Sequence, residues 1–175
     1  MPLIRNGETV EDPFLRVEDD APLPPEGAVL LTATQFMARA EEAAGRAGPT
    51  GVIWPNDRDV AELAPWLDRL AMIALVFPTF KDGRAYSQAR TLRERLGFTG
   101  ELRATGDVLR DQFLFLHRAG FDAFEVRKPE DAKAFCEVLQ RYNVFYQPAA
   151  DGTPGALRRR LFIASRPRAG ITELA

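Results

Sequence analysis

Short apolar runs alternate with amphipathic stretches along the chain from Gly27 to residue 147. Five runs, AVLLT, TGVIW, MIALVF, ELRAT and FDAFEV, are each followed by a polar turn and then by apolar residues three or four positions apart. After the third run, Ala85, Ala89 and Leu92 follow this helical spacing. Runs of this length predict strands, and the periodic segments predict helices that bury one face. NVFYQ, residues 143–147, predicts a sixth strand.

The ends of the chain show other patterns. Asn6-Gly7 suits the type I′ turn of a small β-hairpin, because both residues tolerate positive φ. The following VEDDAPLPPEG segment combines acids with three prolines and predicts an extended connector. From Pro148 onward Gly, Pro and Arg dominate, which predicts a partly ordered tail. We therefore expect a single α/β domain over residues 1–147, with hairpin and connector in 1–26, a βα core in 27–147, and the tail in 148–175.

This alternation of strands and helices predicts a mostly parallel sheet of five to six strands joined by right-handed crossovers. Two architectures fit the pattern. The first choice is an open, doubly wound sheet with helices on both faces. The alternative is a partial βα barrel, since a complete eight-unit barrel typically needs about 250 residues and this chain has 175.

Composition and charge narrow the class of protein. A net charge of -2 gives no general attraction to nucleic acid or to anionic lipid. Cys136 is the only cysteine and His117 the only histidine, which argues against a disulfide, a zinc cluster and a cysteine-ligated iron–sulfur centre. No apolar run approaches the roughly 18 residues of a membrane span. We expect a soluble cytoplasmic protein with neither a nucleic-acid nor a membrane partner.

Known cofactor loops are absent from the sequence. It contains neither the G-x-G-x-x-G fingerprint of dinucleotide-binding folds nor the G-x-x-x-x-G-K-[ST] spacing of a phosphate-binding P-loop. No cofactor is evident, and no metal site is expected.

The turn after the third predicted strand, KDGRAYS, offers one candidate site. Unpaired backbone N–H groups at the start of the following helix attract an anion, and Arg84 can add a bidentate contact. Alternatively, Asp82 is a helix cap and Arg84 is a surface charge. The candidate ligand-binding residues here are Asp82, Gly83, Arg84, Tyr86, Ser87 and Arg90.

The turn after the fourth predicted strand, TGDVLRDQ, occupies the equivalent place in the next unit. Asp107 and Asp111 are candidate proton-transferring carboxylates, and Arg103, Gly106 and Gln112 are candidate ligand-binding residues. The structural alternative is a charge network that joins Arg103, Asp107 and Asp111.

The stretch FPTFKDGRAYSQARTLRERLGFTGELRATGDVLRDQ, continued by RAGFDAFEVR, resembles the bacterial family catalogued as domain of unknown function 934. The recurring family patterns FPxFxDGRxYSxARxLRxR and GELRAxGDVLxDQ are both matched without a gap. The likeness is close over Phe77 to Arg127 and weaker over most of the remaining chain. Family positions fall on Asp82, Gly83, Arg84, Tyr86, Ser87, Arg90, Glu101, Arg103, Gly106, Asp107, Asp111 and Gln112.

The resemblance carries an expectation about function. Members of this family are often encoded beside sulfite reductase and other sulfate-assimilation enzymes, and some carry an oxidoreductase label. It implies an accessory protein of assimilatory sulfate and sulfite reduction in cysteine biosynthesis, which binds sulfite reductase, another enzyme of that pathway or an anionic metabolite. The alternative is a small enzyme, an oxidoreductase or one with an anionic substrate, whose active site lies at the two turns.

Overall fold

The computed structural model describes residues 1–19, 21–128, 130–141, 144–150 and 153–164. Its strands are β1 Leu3–Arg5, β2 Glu8–Val10, β3 Phe14–Arg16, β4 Ala28–Thr32, β5 Thr50–Trp54, β6 Met72–Phe77, β7 Glu101–Gly106 and β8 Ala123–Glu125. The α-helices are α1 Ala33–Ala38, α2 Ala40–Ala44, α3 Arg84–Arg90, α4 Phe113–Ala119, α5 Asp131–Arg141 and α6 Ala156–Ala164. A π-helical turn, Thr91–Arg95, continues α3, and 3₁₀ helices cover Val60–Arg69 and Arg110–Gln112.

The eight strands form one sheet in the order β2-β1-β8-β7-β6-β5-β4-β3. From β3 to β8, strands that are consecutive in the chain lie side by side and run parallel. Right-handed crossovers between such neighbours place their helices on a single face of the sheet. The first-choice doubly wound architecture is therefore wrong, because it needs a reversal of strand order that sends helices to both faces. The chain forms the alternative, a curled half-barrel.

The curl of the sheet follows from its connectivity. Strands β2 and β3 lie at opposite edges, yet only Glu11, Asp12 and Pro13 separate them. Such a link spans about 14 Å at most, whereas eight strands laid flat about 4.8 Å apart would cover roughly 34 Å. The two edges must therefore approach each other, and residues 11–13, the 11–13 link, cross the open side of the half-barrel.

The strand predictions are confirmed in part. The predicted hairpin is β1 and β2, and its turn has positive φ at Asn6 (53°) and Gly7 (83°). The first five predicted strands are present as β4 to β8. The predicted sixth strand is wrong, since the described residues 144–147 form no strand. Its place beside β8 is taken by β1, which pairs there antiparallel. Strand β3 was not predicted.

The core lies between the sheet and the helices. In β7, Leu102 and Ala104 face the helices and join the main apolar cluster. Arg103 and Thr105 alternate with them and face the concave side of the sheet, as the two-residue period of a strand requires. A second apolar cluster on the concave side contains Leu30, Met72 and Ala74, with Phe14 and Ile53 packed against it.

Two further features complete the fold. Helix α6 falls within the segment predicted as a partly ordered tail, while residues 165–175 lie outside the described part of the chain. Within the described ranges, no helix is long and apolar enough to cross a membrane.

Candidate functional site

A pocket of about 350 Å³ lies between the loop that follows β5 and helix α3, which follows β6. Both connections leave the carboxyl ends of neighbouring parallel strands. Ligands bind at this edge in βα proteins, since its loops can carry chemistry without disturbing the strands that position them. The polar residues that line this strand-end pocket are Asn56, Asp57, Arg58, Asp59, Arg84, Ser87, Gln88 and Thr91.

Gln88 on α3 holds the loop after β5 in place. Its Nε2 atom donates to the carbonyl oxygens of Pro55 at 2.9 Å and of Arg58 at 2.8 Å. The loop is fixed further by Trp54, whose Nε1 donates to the Arg58 carbonyl at 3.3 Å and whose ring lies 4.8 Å below the Arg58 guanidinium. Carbonyl oxygens only accept hydrogen bonds, so these bonds settle the orientation of the Gln88 amide.

Two buried amide atoms at this pocket have no hydrogen-bond partner among the described residues: Asn56 Nδ2 and Gln88 Oε1. The two residues are only 6% and 8% exposed. A buried polar atom left without a partner costs about 1–3 kcal/mol, and native proteins satisfy most such atoms. Both residues line the pocket, so a molecule bound there can supply the missing acceptor and donor.

Arg84 forms a forked ion pair with Asp82 at the mouth of the pocket. Its Nε and Nη2 atoms lie 3.0 and 2.7 Å from the two carboxylate oxygens. These hydrogen bonds hold the pKa of Asp82 well below its usual range, and the nearby Asn56 side chain lowers it further, although Asn56 Nδ2 does not reach the geometry of a hydrogen bond. Asp82 also accepts from the Arg84 backbone N–H at 3.3 Å, while Gly83 occupies the cap position itself. The Nη1 group of Arg84 takes no part in the pair, and its side chain is 58% exposed.

Acidic and basic charges balance around the pocket. Its lining holds two guanidinium groups, Arg58 and Arg84, and two carboxylates, Asp57 and Asp59. The pKa of Arg84 is raised first by its hydrogen bonds to Asp82 and also by the charge of Asp57. Asp59 caps the 3₁₀ helix Val60–Arg69. Asp57 therefore provides a negative charge close to the Arg84 cation.

Asp107 and Gln112 fasten the loop between β6 and α3. Asp107 accepts from the Phe80 backbone N–H at 3.0 Å and from Arg127 Nη2 at 2.5 Å. Gln112 donates to the Phe80 carbonyl at 3.0 Å and accepts from the Leu109 N–H at 3.0 Å. These two predicted site residues do not line the strand-end pocket but hold the DGR turn that does.

Gly106 lets β7 pass directly beside β6. Its φ is +96°, and a Cβ atom at this position would lie 2.4 Å from the Phe77 carbonyl oxygen. That oxygen accepts from the Asp107 N–H at 2.8 Å. Gly106, which was predicted as a ligand-binding residue, does not line the strand-end pocket, and its positive φ serves this close approach of the two strands.

Arg103 does not lie at the carboxyl edge where it was predicted. It is fully buried on the concave side, where it pairs with Asp12 at 2.6 Å, Glu101 at 2.8 Å and Glu125 at 3.3 Å. Its guanidinium also lies 5.7 Å from the centre of the Phe14 ring. The predicted network with Asp107 and Asp111 is not formed. The side chain of Arg103 lies on the concave face of β7, on the opposite side of the strand from the helices.

The ion pairs on the concave side of the sheet also change the pKa of Asp12. Partial burial acts to raise its pKa, but the hydrogen bonds from Arg103 and the Phe14 N–H, with the charges of Arg103 and Arg16, outweigh burial and lower it. Asp12 belongs to the 11–13 link, so this carboxylate ties the link to the inside of the sheet.

The remaining predicted residues border a second cavity. Tyr86, Arg90 and Asp111 line a space of about 810 Å³ among α3, α4, α5 and residues 145–149. Burial, together with the negative charge of Asp111, raises the pKa of Tyr86 to about 12. The Tyr86 ring also packs edge-on against Phe77 at 5.4 Å. Helix α3 therefore divides its own predicted residues between two spaces: Arg84 and Ser87 line the strand-end pocket, whereas Tyr86 and Arg90 line the second cavity.

A family model described as "Bacterial protein of unknown function (DUF934)" matches residues 51–156, which is more than half of the chain. The chain belongs to this family. Comparisons with curated proteins and with solved structures gave no match. The residues that line the strand-end pocket all fall inside the DUF934 match.

Of the nine residues that line this DUF934 pocket, only Arg84 and Ser87 were among the predicted candidates. Asn56, Asp57 and Arg58 come from the WPNDRD segment, which was predicted only as a polar turn after a strand. The signal was present, because this polar cluster directly follows a buried strand and the next strand–helix turn contributes Arg84. Gln88 was missed because it is an inward-facing polar residue on a helix. Among the described residues, no group of three or more His, Cys, Asp or Glu side chains is placed to hold a metal ion.

Proposed function

We propose that this DUF934 protein binds a small metabolite with an anionic group in the strand-end pocket. The observation that carries the proposal is the presence of two unpartnered, buried amide atoms beside Arg84 in a pocket at the carboxyl ends of parallel strands. The volume, about 350 Å³, is at the low end of the range for small-molecule sites, about 300–1,000 Å³. The pocket therefore suits a small and polar ligand.

Arg84 is the group that favours an anion. Its planar guanidinium matches carboxylate, sulfo and phospho groups, and the fork with Asp82 orients it without using Nη1. Ser87, one helical turn later, adds a hydroxyl group to the same lining. The ligand replaces water at these groups and supplies partners to Asn56 and Gln88.

The biological setting that we propose is assimilatory sulfate and sulfite reduction in cysteine biosynthesis, in the cytoplasm. This part rests on the family resemblance, through members encoded beside sulfite reductase. The protein is then an accessory protein whose bound metabolite belongs to that pathway, and sulfite reductase or another enzyme of sulfate assimilation is its proposed partner.

The ligand test is a thermal-shift series with sulfate, sulfite, phosphate and nucleotide sulfates. A ligand that binds only the folded protein and is present at 100 times its Kd stabilises it by about 2.7 kcal/mol, which raises Tm by roughly 5–10 °C for a domain of this size. We expect wild type to shift with at least one compound. Arg84→Ala should lose that shift while keeping nearly the same unliganded Tm, because the Arg84–Asp82 pair is exposed at the surface.

Arg95→Ala is the matched control, since Arg95 is an exposed arginine on the π-helical continuation of α3 and does not line the pocket. It should keep the ligand-induced shift. If wild type shifts with none of the four classes of compound, a ligand that carries only negative charge is rejected. If Arg84→Ala keeps the full shift, the anion binds somewhere else.

The pathway test is growth of a deletion strain with sulfate, sulfite or cysteine as the sole sulfur source. We expect slow growth on sulfate and sulfite and normal growth on cysteine. A plasmid that carries wild type should restore growth, and one that carries Arg84→Ala should not. Normal growth of the deletion strain on all three sources would refute the proposed role in this pathway.

The alternative function, a small enzyme, has weaker support. Its candidate proton-transferring groups were Asp107 and Asp111. Asp107 is engaged by Arg127 and by the Phe80 N–H, and Asp111 borders the second cavity, away from Arg84. Neither lines the pocket that contains the unpartnered amides, so binding is the function that we put forward.

A further inference from the structure

We infer that the ligand of the strand-end pocket is a zwitterion of the α-amino-acid type. This inference rests on the proposed function and specifies its ligand class. It starts from the polarity of the two unpartnered atoms: Asn56 Nδ2 is a donor that lacks an acceptor, and Gln88 Oε1 is an acceptor that lacks a donor. A simple oxyanion such as sulfate only accepts hydrogen bonds. It can satisfy Asn56 but leaves Gln88 Oε1 buried without a partner.

The charged groups that line the pocket also favour a zwitterionic ligand. Arg84 and Arg58 are already paired with Asp82 and Glu62, so a purely anionic ligand also meets the carboxylates of Asp57 and Asp59 in the lining. The negative charge of Asp57 lies close enough to Arg84 to raise its pKa. A ligand that carries both signs of charge a few bonds apart avoids this repulsion and complements both groups.

An α-amino acid has this arrangement of groups. Its carboxylate accepts from Arg84 and from Asn56 Nδ2, both of which are donors. Its ammonium group has three N–H donors, which suit Gln88 Oε1 and the Asp57 carboxylate. The pocket, at about 350 Å³, holds on the order of ten water molecules, which is enough for an amino acid and its side chain. The loop that supplies Asn56 and Asp57 is held by Gln88 itself, so one residue both orders the loop and contacts the ligand.

The test is calorimetric titration of the full chain with the twenty proteinogenic amino acids. Each amino acid that binds is then compared with its deaminated acid, with the amine that lacks its carboxylate and with its uncharged amide analogue. For alanine these are propionate, ethylamine and propionamide. We expect at least one amino acid to bind, and we expect removal of either charged group to weaken binding at least 10-fold.

Asp57→Asn supplies the discriminating variant, because it removes one exposed charge and keeps the shape of the side chain. It should lower the affinity for the amino acid about 10-fold and leave the affinity for the deaminated acid unchanged or higher. A merely structural role for Asp57 would weaken both ligands alike. Asp68→Asn, at an exposed acid on the 3₁₀ helix Val60–Arg69 and outside the pocket, is the control and should change neither affinity.

The outcomes separate this inference from the proposed function. If oxyanions or deaminated acids bind in an Arg84-dependent way and as tightly as amino acids, the zwitterion is rejected and anion binding stands. If the propionamide-type analogue binds as tightly as the amino acid, charge recognition is rejected. If no compound in either series binds, both are rejected.

Discussion

Arg103 shows how a single buried charge is accommodated on the concave side of the sheet. Removing an arginine from water costs several kcal/mol unless close partners compensate. Here three carboxylates, Asp12, Glu101 and Glu125, surround it. Two further arginines complete the cluster, since Arg5 pairs with Glu101 and Arg16 lies 3.6 Å from Glu125. The cluster therefore contains three charges of each sign, and its members come from both edges of the sheet.

Loss of the Asp12 charge should destabilise the protein in a pH-dependent way. We expect Asp12→Asn to lower the free energy of unfolding at pH 7 by about 1–2 kcal/mol, less than for a fully buried pair because Asp12 is about one-third exposed. The pKa of Asp12 in the folded state lies below its ordinary value. Its contribution is thus complete above that value and is lost as the pH falls through the lowered folded pKa.

Urea unfolding of wild type and Asp12→Asn across the acid range measures this difference. The two curves should converge at the acid end, where Asp12 is protonated in both states of the wild type. Glu11→Gln, the neighbouring exposed acid of the same link, is the control and should stay within about 0.5 kcal/mol of wild type. An Asp12→Asn effect that persists undiminished at low pH would contradict the charge argument.

Neither the facing of Arg103 nor its partners was predicted, since Arg103 was grouped with Asp107 and Asp111. The apolar–polar alternation in ELRAT nonetheless places Arg103 opposite Leu102 and Ala104, and that is observed. Its partner Asp12, however, lies 91 positions earlier in the chain, in a segment whose pattern gives no structural signal. Ion pairs between distant segments depend on how the sheet curls, which local periodicity does not encode.

At the scale of elements, the turns after β6 and β7, which were predicted as two candidate sites, are hydrogen-bonded to each other. The turn after β7 holds the loop after β6 through Asp107 and Gln112, and that loop leads into α3. The turn after β5 then packs against α3 through Gln88. Three successive strand–helix connections thus support each other along one edge of the sheet. The sequence predicted candidate sites at two of the three, whereas WPNDRD was predicted only as a polar turn.

Gly106→Ala tests the close approach of β7 to β6. The new Cβ atom would lie 2.4 Å from the Phe77 carbonyl oxygen, and the residue would keep a φ near +96°. Both effects strain the folded state, so we expect destabilisation of at least about 2 kcal/mol. Chemical denaturation measures it directly.

Gly97→Ala is the matched comparison. Gly97 also has positive φ, +69°, but a Cβ atom there meets nothing within 4 Å. Replacing Gly97 by alanine should lower the free energy of unfolding only through backbone strain, by about 1 kcal/mol. Equal losses in the two variants would show that contact with Phe77 contributes nothing.

At the scale of the whole molecule, the sequence predicted the class of fold and left its architecture open. Periodicity identifies the strands β4 to β8 and the helices between them, because each has its own apolar pattern. The order of the strands in the sheet has no such local signal, so the sequence pattern is compatible with both a doubly wound sheet and a partial barrel. Strand β3 was missed for another reason: it has three residues at a sheet edge, directly after Pro13.

The pairing of β1 with β8 sets an order for folding during synthesis. Leu3 lies opposite Glu125, so the N-terminal hairpin leaves the ribosome about 120 residues before its neighbour in the sheet. At roughly 5–20 residues per second, that interval is on the order of 10 s. An isolated two-stranded hairpin is at best marginally stable in water. A segment made early is therefore among the last to be fixed, and the Arg103 cluster is completed only once both β1 and β8 have emerged.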